Sequence, residues 1–197
     1  ARSMGFFACG IAKAAPVDKA VAQKYRKWLE NGEEASMAYM TNYLEKRLDP
    51  RLLVPGVRSI VSLALNYAPA QQLPKGEYQI AAYALGLDYH DLMKQKMREL
   101  AIKITERWQL PKQGESEEPS VRCFCDTAPV LERYWAQKAG LGWVGRNHQL
   151  IIPHAGSMFF LGEIFLPFDV DVYDEAMSNR CGSCHRCIDA CPTRAIR

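Results

Sequence analysis

The sequence predicts an α+β fold in which a mixed sheet is flanked by helices, and two patterns carry that expectation. Ser59-Ile-Val-Ser-Leu-Ala-Leu-Asn-Tyr67 is β-branched and nearly all apolar, the mark of a strand covered on both faces. Stretches with apolar residues three and four apart stand before and after it, supplying the helices that would cover such a sheet.

From Asp18, residues Val21, Tyr25, Trp28 and Leu29 recur at helical spacing until Asn31-Gly32 stops them. A second helix is expected over 36–47 with Met37, Met40, Tyr43 and Leu44 inward, broken by Pro50 and Pro55-Gly56. Pro69 closes the strand, and Asp88 caps a long helix to about Trp108 that buries Leu92, Met97, Leu100, Ala101 and Ile104. Leu110 to Ser120 reads as a polar surface loop.

Val121 to Cys125 alternates as a strand does, Asp126-Thr127 offers helix caps, and Pro129 to Lys138 is helical with Val130, Leu131, Tyr134 and Trp135 inward. His148–Ile152 and Ser157–Leu166 follow as two strands, joined as a hairpin through Pro153-His154-Ala155-Gly156. An acidic loop with Asp169, Asp171, Asp174 and Glu175 then leads to a cysteine run.

Composition narrows the function classes. The 197 residues are 48% hydrophobic and 24% charged, enough for a full core and unlike disordered or low-complexity chains. The net charge of +3 is too small to mark a dedicated nucleic-acid or membrane-surface binder. Basic residues do gather at the two ends: residues 1–60 hold ten Lys and Arg against six Asp and Glu, and Arg180, Arg186, Arg194 and Arg197 surround the cysteines. No stretch approaches the ~20 apolar residues of a spanning helix and no secretory signal opens the chain, so a cytoplasmic protein with no membrane partner is expected. The chain starts Ala1-Arg2-Ser3 and stops soon after the cysteines, which reads as a piece of a longer protein.

Cys181-Gly-Ser-Cys184-His-Arg-Cys187-Ile-Asp-Ala-Cys191-Pro192 has the C-x2-C-x2-C-x3-C-P spacing of bacterial ferredoxin-type [4Fe-4S] ligands. In that motif the first three thiolates hold one cluster and the fourth a second, so Cys191 calls for another run further along a longer chain. Zinc is the alternative, but it favours paired ligands split by a longer spacer. Cys9, Cys123 and Cys125 lack ligand spacing and read as core residues.

Gly140-Leu-Gly-Trp-Val-Gly145 matches G-x-G-x-x-G, yet it follows a helix and enters strands, the reverse of a dinucleotide site. A helix C-cap with a tight loop is one alternative; glycines that admit a flat cofactor are another. Asp126 reads either as an N-cap or as a proton donor, the latter requiring an apolar pocket of the Cys125, Val130, Trp143 and Phe159 kind to raise its pKa. His90 is a capping or functional residue at a helix start, and His185 is exposed or tunes a cluster.

Six blocks in register are similar to the epoxyqueuosine reductase family: Leu53-Val-Pro-Gly-Val-Arg-Ser-Ile60, Tyr83-Ala-Leu-Gly-Leu-Asp-Tyr-His90, Asp126-Thr-Ala-Pro-Val-Leu-Glu-Arg133, Gly140-Leu-Gly-Trp-Val-Gly-Arg-Asn147, Gly156-Ser-Met-Phe-Phe-Leu-Gly-Glu163 and the cysteine run. The resemblance implies reduction of the epoxide of epoxyqueuosine at the tRNA wobble position to queuosine, with cobalamin and two [4Fe-4S] clusters. It also implies a fold related to nitroreductases and reductive dehalogenases.

Under it, Asp126 is the proton donor, and Tyr89, His90, Gly145, Arg146, Asn147, Ser157 and Phe159 line a cobalamin pocket. Cys181, Cys184, Cys187 and Cys191 are cluster ligands, an incomplete set without a second run. Residues 1–178 form the cobalamin-binding catalytic domain and 179–197 a partial ferredoxin-type segment. The tRNA anticodon region and an electron donor such as a flavodoxin or ferredoxin are the implied partners. A ferredoxin-like electron-transfer module, and a reductase of another small electrophile such as an organohalide, stand as competing readings.

Overall fold

The apolar run at 59–66 becomes the strand on which the rest of the molecule is layered. In the computed structural model, which describes residues 1–71, 73–74, 76–110 and 121–196, β2 (Ser59–Asn66) is buried from Ser59 through Ala64. The expected polar loop falls almost wholly outside the described residues. β2 pairs on one side with β1 (Ala8–Lys13) and on the other with β6 (Phe159–Leu166), and β3 (Arg122–Phe124) completes the sheet beyond β6.

Every pairing in this sheet is antiparallel, so the expected mixed sheet is corrected. Ile60 and Ala64 face one core with Phe159 and Phe165, while Val61 and Leu63 face a second with Ile164 and Leu166. The first core is closed by α5 (Glu132–Lys138), whose Trp135 is 1% exposed. The second is closed by α4 (Tyr89–Arg107) through Met93, Met97 and Ala101. Three layers result, as a strand apolar on both faces requires.

The long helix forms where expected because Asp88 accepts the His90 amide at 2.8 Å, but its inward face is rotated. Leu92 is 40% exposed, and Met93 takes the core position. Met93 and Met97 lie so close to the sheet that a Cβ on Gly162 would stand 2.7 Å from the Met97 sulfur.

β1 has no counterpart in the sequence reading, because Ala8-Cys9-Gly10-Ile11-Ala12-Lys13 lacks the β-branched run that marks strands. Its small residues answer a packing need: a Cβ on Gly10 would lie 2.0 Å from the Ala139 carbonyl at the end of α5. The outer edge of β1 is then covered at Ile11, whose amide donates to Asp174 Oδ2 at 2.7 Å and whose carbonyl accepts the Asp174 amide.

α1 (Lys19–Glu30) forms as expected, but the helix expected over 36–47 does not. Tyr43 takes φ 55, and the stretch divides into a 3-10 turn and α2 (Leu44–Leu48). Pro50 opens rather than breaks a helix, α3 (Pro50–Leu53), at the position where its missing N–H costs nothing. The 148–152 and 157–166 strands also do not form a hairpin. β4 (Trp143–Val144) pairs with β5 (Leu150–Ile151), only the bridge Ile152–Gly156 remains, and β6 is drawn to the sheet centre by its two apolar faces. A last short helix, α6 (Arg186–Asp189), lies inside the cysteine run. Among the described residues no helix is long and apolar enough to cross a membrane.

Candidate functional site

Asp126 stands on the loop between β3 and α5, and its local conformation corrects the N-cap reading and the apolar pocket expected around it, while leaving its carboxyl open to a ligand. Its φ is 60, so it caps no helix, and α5 begins only at Glu132 with no side-chain cap on Leu131. Its side chain is 59% exposed, not enclosed by Cys125, Val130, Trp143 and Phe159. Cys125, Val130 and Phe159 turn inward instead, where core packing outweighs wrapping a polar group. Burial pushes the Cys125 thiol far up and keeps it unreactive.

The Asp126 carboxylate has two partners supplied by the first turn of α4. Tyr89 Oη donates to Oδ2 at 2.5 Å, and His90 Nε2 lies 3.4 Å from the same oxygen. His90 Nδ1 is held 2.8 Å from Asp88 Oδ1, so the imidazole spans two carboxylates. Burial, then the bond to Asp126, pushes the Tyr89 phenol well above its ordinary value and keeps it a donor.

Behind these groups the rings form a ladder: His90 on Tyr89 at 4.0 Å, Tyr89 on Phe160 at 4.2 Å and 3°, Phe160 beside Tyr67 at 4.5 Å. Apolar side chains are left exposed along the chain on either side, with Leu87 92% and Met158 44% exposed. A carboxylate beside an apolar, ring-lined face suits a large planar ligand whose edge meets an acid.

Of the seven residues expected at a cobalamin pocket, the structure brings Tyr89 and His90 to Asp126. Phe159 points away and packs on Phe7 at 5.1 Å, and its neighbour Phe160 takes the place at the ladder. Ser157 is half-buried on the approach to β6. Gly145 and Asn147 shape the β4–β5 turn: the Gly145 amide donates to Gln149 O, and Asn147 Oδ1 accepts the Gln149 amide at 3.1 Å.

Arg146 reaches from that turn to the cysteine segment. Its guanidinium donates to the Gly182 carbonyl at 2.9 Å and the Cys184 carbonyl at 3.0 Å, and lies 3.2 Å from His185. Asn179 adds a second tie, donating to Val144 O at 3.1 Å and accepting the Cys181 amide at 2.8 Å. None of the seven cysteines forms a disulfide; Cys9 is exposed rather than a core residue, and Cys123 and Cys125 do pack against the second core.

The Arg146 amide directed at Cys181 lowers that thiol, and backbone amides led by Ile196 bring Cys191 down to about 7. Sulfurs that receive amide N–H groups and ionise readily are the donors an iron–sulfur cluster takes. Among the described residues no three His, Cys, Asp or Glu side chains are already gathered as a metal site. Replacing Arg146 by Ala is expected to speed amide hydrogen exchange across 181–191 while leaving β2 and β6 protected. Unchanged exchange in that peptide would show that Arg146 does not hold the segment.

Two acids under the loop were missed in the sequence: Glu132, which accepts the Asp126 amide, and Glu163, which has no exposed surface. The available signal was the single charge inside the apolar run 159–166.

Known proteins share the sequence and fold of this chain. Residues 47–127 match the family model described as "Epoxyqueuosine reductase QueG, DUF1730", and residues 177–197 match the 4Fe-4S binding domain. An epoxyqueuosine reductase of Cellulophaga algicola is 44% identical over 193 residues, 98% of this chain and 60% of that protein. The solved epoxyqueuosine reductase of Streptococcus thermophilus superposes with a TM-score of 0.83 at 26% identity, covering 100% of this chain and 51% of that one. A structure of epoxyqueuosine reductase with an epoxyqueuosine-modified tRNA-Tyr stem loop gives a TM-score of 0.75 at 27% identity, covering 99% and 50%. The chain thus spans 60% of the length of that curated relative and about half of the solved ones.

Proposed function

We propose that this chain, similar to epoxyqueuosine reductases over its whole length, is the part of such an enzyme that carries the acid and the first cysteine run for reducing epoxyqueuosine in tRNA to queuosine. The observation that carries this reading is Asp126, exposed at the edge of the ring ladder with Tyr89 and His90 on its carboxylate. Epoxide reduction consumes two electrons and two protons and releases the epoxide oxygen as water, so it requires an acid that reaches the substrate oxygen.

When bound, cobalamin supplies a strongly reducing metal centre and the [4Fe-4S] clusters supply single electrons. Tyr89, His90 and Phe160, with exposed Leu87 and Met158, are the residues that would hold cobalamin, and Cys181, Cys184, Cys187 and Cys191 the cluster irons. Asp126 delivers a proton to the epoxide oxygen. The carboxylate left behind keeps the Tyr89 hydroxyl and the His90 ring as partners, which lowers the cost of its new charge. Arg146 and Asn179 dock the cysteine segment on the β4–β5 turn.

The proposal extends to the division into a catalytic part, 1–178, and a ferredoxin-type part, 179–197, and to a fold relationship with nitroreductases and reductive dehalogenases. A cytoplasmic setting, an electron donor of the flavodoxin or ferredoxin kind, and salt-sensitive contacts between the basic segments and tRNA phosphates belong to it too. The test has two arms. Anaerobic cob(II)alamin added to this chain is expected to give a base-off EPR signal. The full-length, cofactor-loaded protein is expected to convert epoxyqueuosine in a stem-loop RNA; modified RNA recovered intact would overturn the reading.

A further inference from the structure

Two carboxyl groups lie under the Asp126 loop without a part in the chemistry above. Glu163 sits in the central strand, opposite Ser62 on β2 and Phe124 on β3. It is fully buried, and neither of its oxygens nor the Ser62 hydroxyl has a hydrogen-bond partner among the described residues. Glu132 opens α5, the helix packed on that strand, and its Oε1 accepts the Asp126 amide. The amide it accepts belongs to a residue at φ 60, a left-handed conformation that Asp adopts more readily than most residues and that a bond to its amide helps to hold.

A carboxylate as deep as Glu163, with no donor to meet it, is too costly to keep charged, so it stays a neutral acid. Burial is the first cause and the Glu132 charge the second. Glu132 differs because it has the Asp126 amide; burial raises it to about 7 and that bond opposes the rise. The other charged or titratable groups that act on the pair are Asp126 and Cys125 on the loop, Arg133 beside Glu132, and Tyr89 and His90 on α4.

We propose that Glu132 is a positioning residue for Asp126, and that Glu163 serves it by remaining a neutral acid, so that the pair holds one negative charge directed at the Asp126 amide. Charged Glu132 fixes the left-handed backbone that presents Asp126 to Tyr89 and His90. Protonated Glu132 is a weaker acceptor, and the loop loosens. The inference rests on Asp126 being the proton donor. Its sign follows from the amide bond, which lowers the acid: with Glu132 still buried but that bond broken the pKa is higher, so proton uptake as pH falls through about 7 favours the released loop.

The test reads the Asp126 amide by NMR through the neutral range in this chain. In the unsubstituted protein its resonance is expected to move with a midpoint of about 7, in Glu132→Gln to stay flat, and in Glu163→Gln to keep the same midpoint. Isotope-edited infrared spectra above that midpoint are expected to show a carboxylic acid band that Glu163→Gln removes. In the loaded full-length enzyme, Glu132→Gln is expected to lower kcat roughly tenfold, leave KM for the RNA in place and abolish the acid limb near neutrality. A titrating amide in Glu132→Gln, a missing acid band, or an unchanged kcat and acid limb would each overturn the proposal. The spectroscopic arms need no turnover, so they survive if the family chemistry fails.

Discussion

Asp126→Asn in the cofactor-loaded full-length enzyme is expected to lower kcat by roughly 10²–10⁴-fold, the range over which a positioned general acid contributes. Asn matches Asp in shape and still accepts from Tyr89 Oη, but it has no proton to give. It also suits the backbone, since Asn tolerates the left-handed region that φ 60 imposes. The melting temperature and the binding of RNA are therefore expected to stay close to those of the parent, and the loss to fall on the chemical step. Single-turnover conversion of a modified stem loop separates the two. A variant that turned over at the parental rate would remove Asp126 from the mechanism.

Trp135→Ala is expected to destabilise the fold by about 3–5 kcal/mol, the usual cost of deleting a large buried ring. Trp135 is 1% exposed, joins the larger core on the α5 side of the sheet, and meets Tyr134 edge-on at 5.0 Å. The Tyr134 hydroxyl in turn accepts the Asp18 amide at 3.1 Å, and burial pushes that phenol up to about 12. For a chain of this size, a loss of that order lowers Tm by roughly 6–20 °C. Thermal unfolding followed by circular dichroism measures it; a drop of under about 2 °C would show that the site collapses around the missing indole.

What could be read from the sequence was set by local pattern. β2 and the long helix behind Asp88 announce themselves through composition and a cap, and the cysteine spacing is chemical information that needs no fold. Partner choice was not legible. The run at 157–166 reads as a strand, yet its neighbours come from residues 59–66 and 122–124 and not from the adjacent strand. β1 escaped notice because its small residues serve the close approach of α5, a demand made by another part of the chain.

The site divides in the same way. Asp126 and the four cysteines stand in motifs, and Tyr89 and His90 were placed near them by resemblance. Phe160 instead of Phe159 at the ladder depends on which face of β6 meets α4, a choice of register that motif spacing does not contain. Arg146 was expected at a cofactor and is found holding the cysteine turn, because a guanidinium with five donors goes to the nearest free carbonyls. Glu163 is a lone carboxyl whose meaning appears only when both sheet faces are covered.

The central ladder between β2 and β6 joins stretches roughly a hundred residues apart along the chain. During synthesis, β2 can pair with β1 early, but its other edge waits for the ribosome to deliver residues 159–166. At the usual pace of translation that interval is roughly 5–20 seconds, during which the second edge of β2 lacks its strand partner. The order of delivery also matters for metal loading. The cysteines at 181–191 emerge only after the last strand of the sheet has been made, so the strand that completes the scaffold precedes the thiols that Arg146 straps to it.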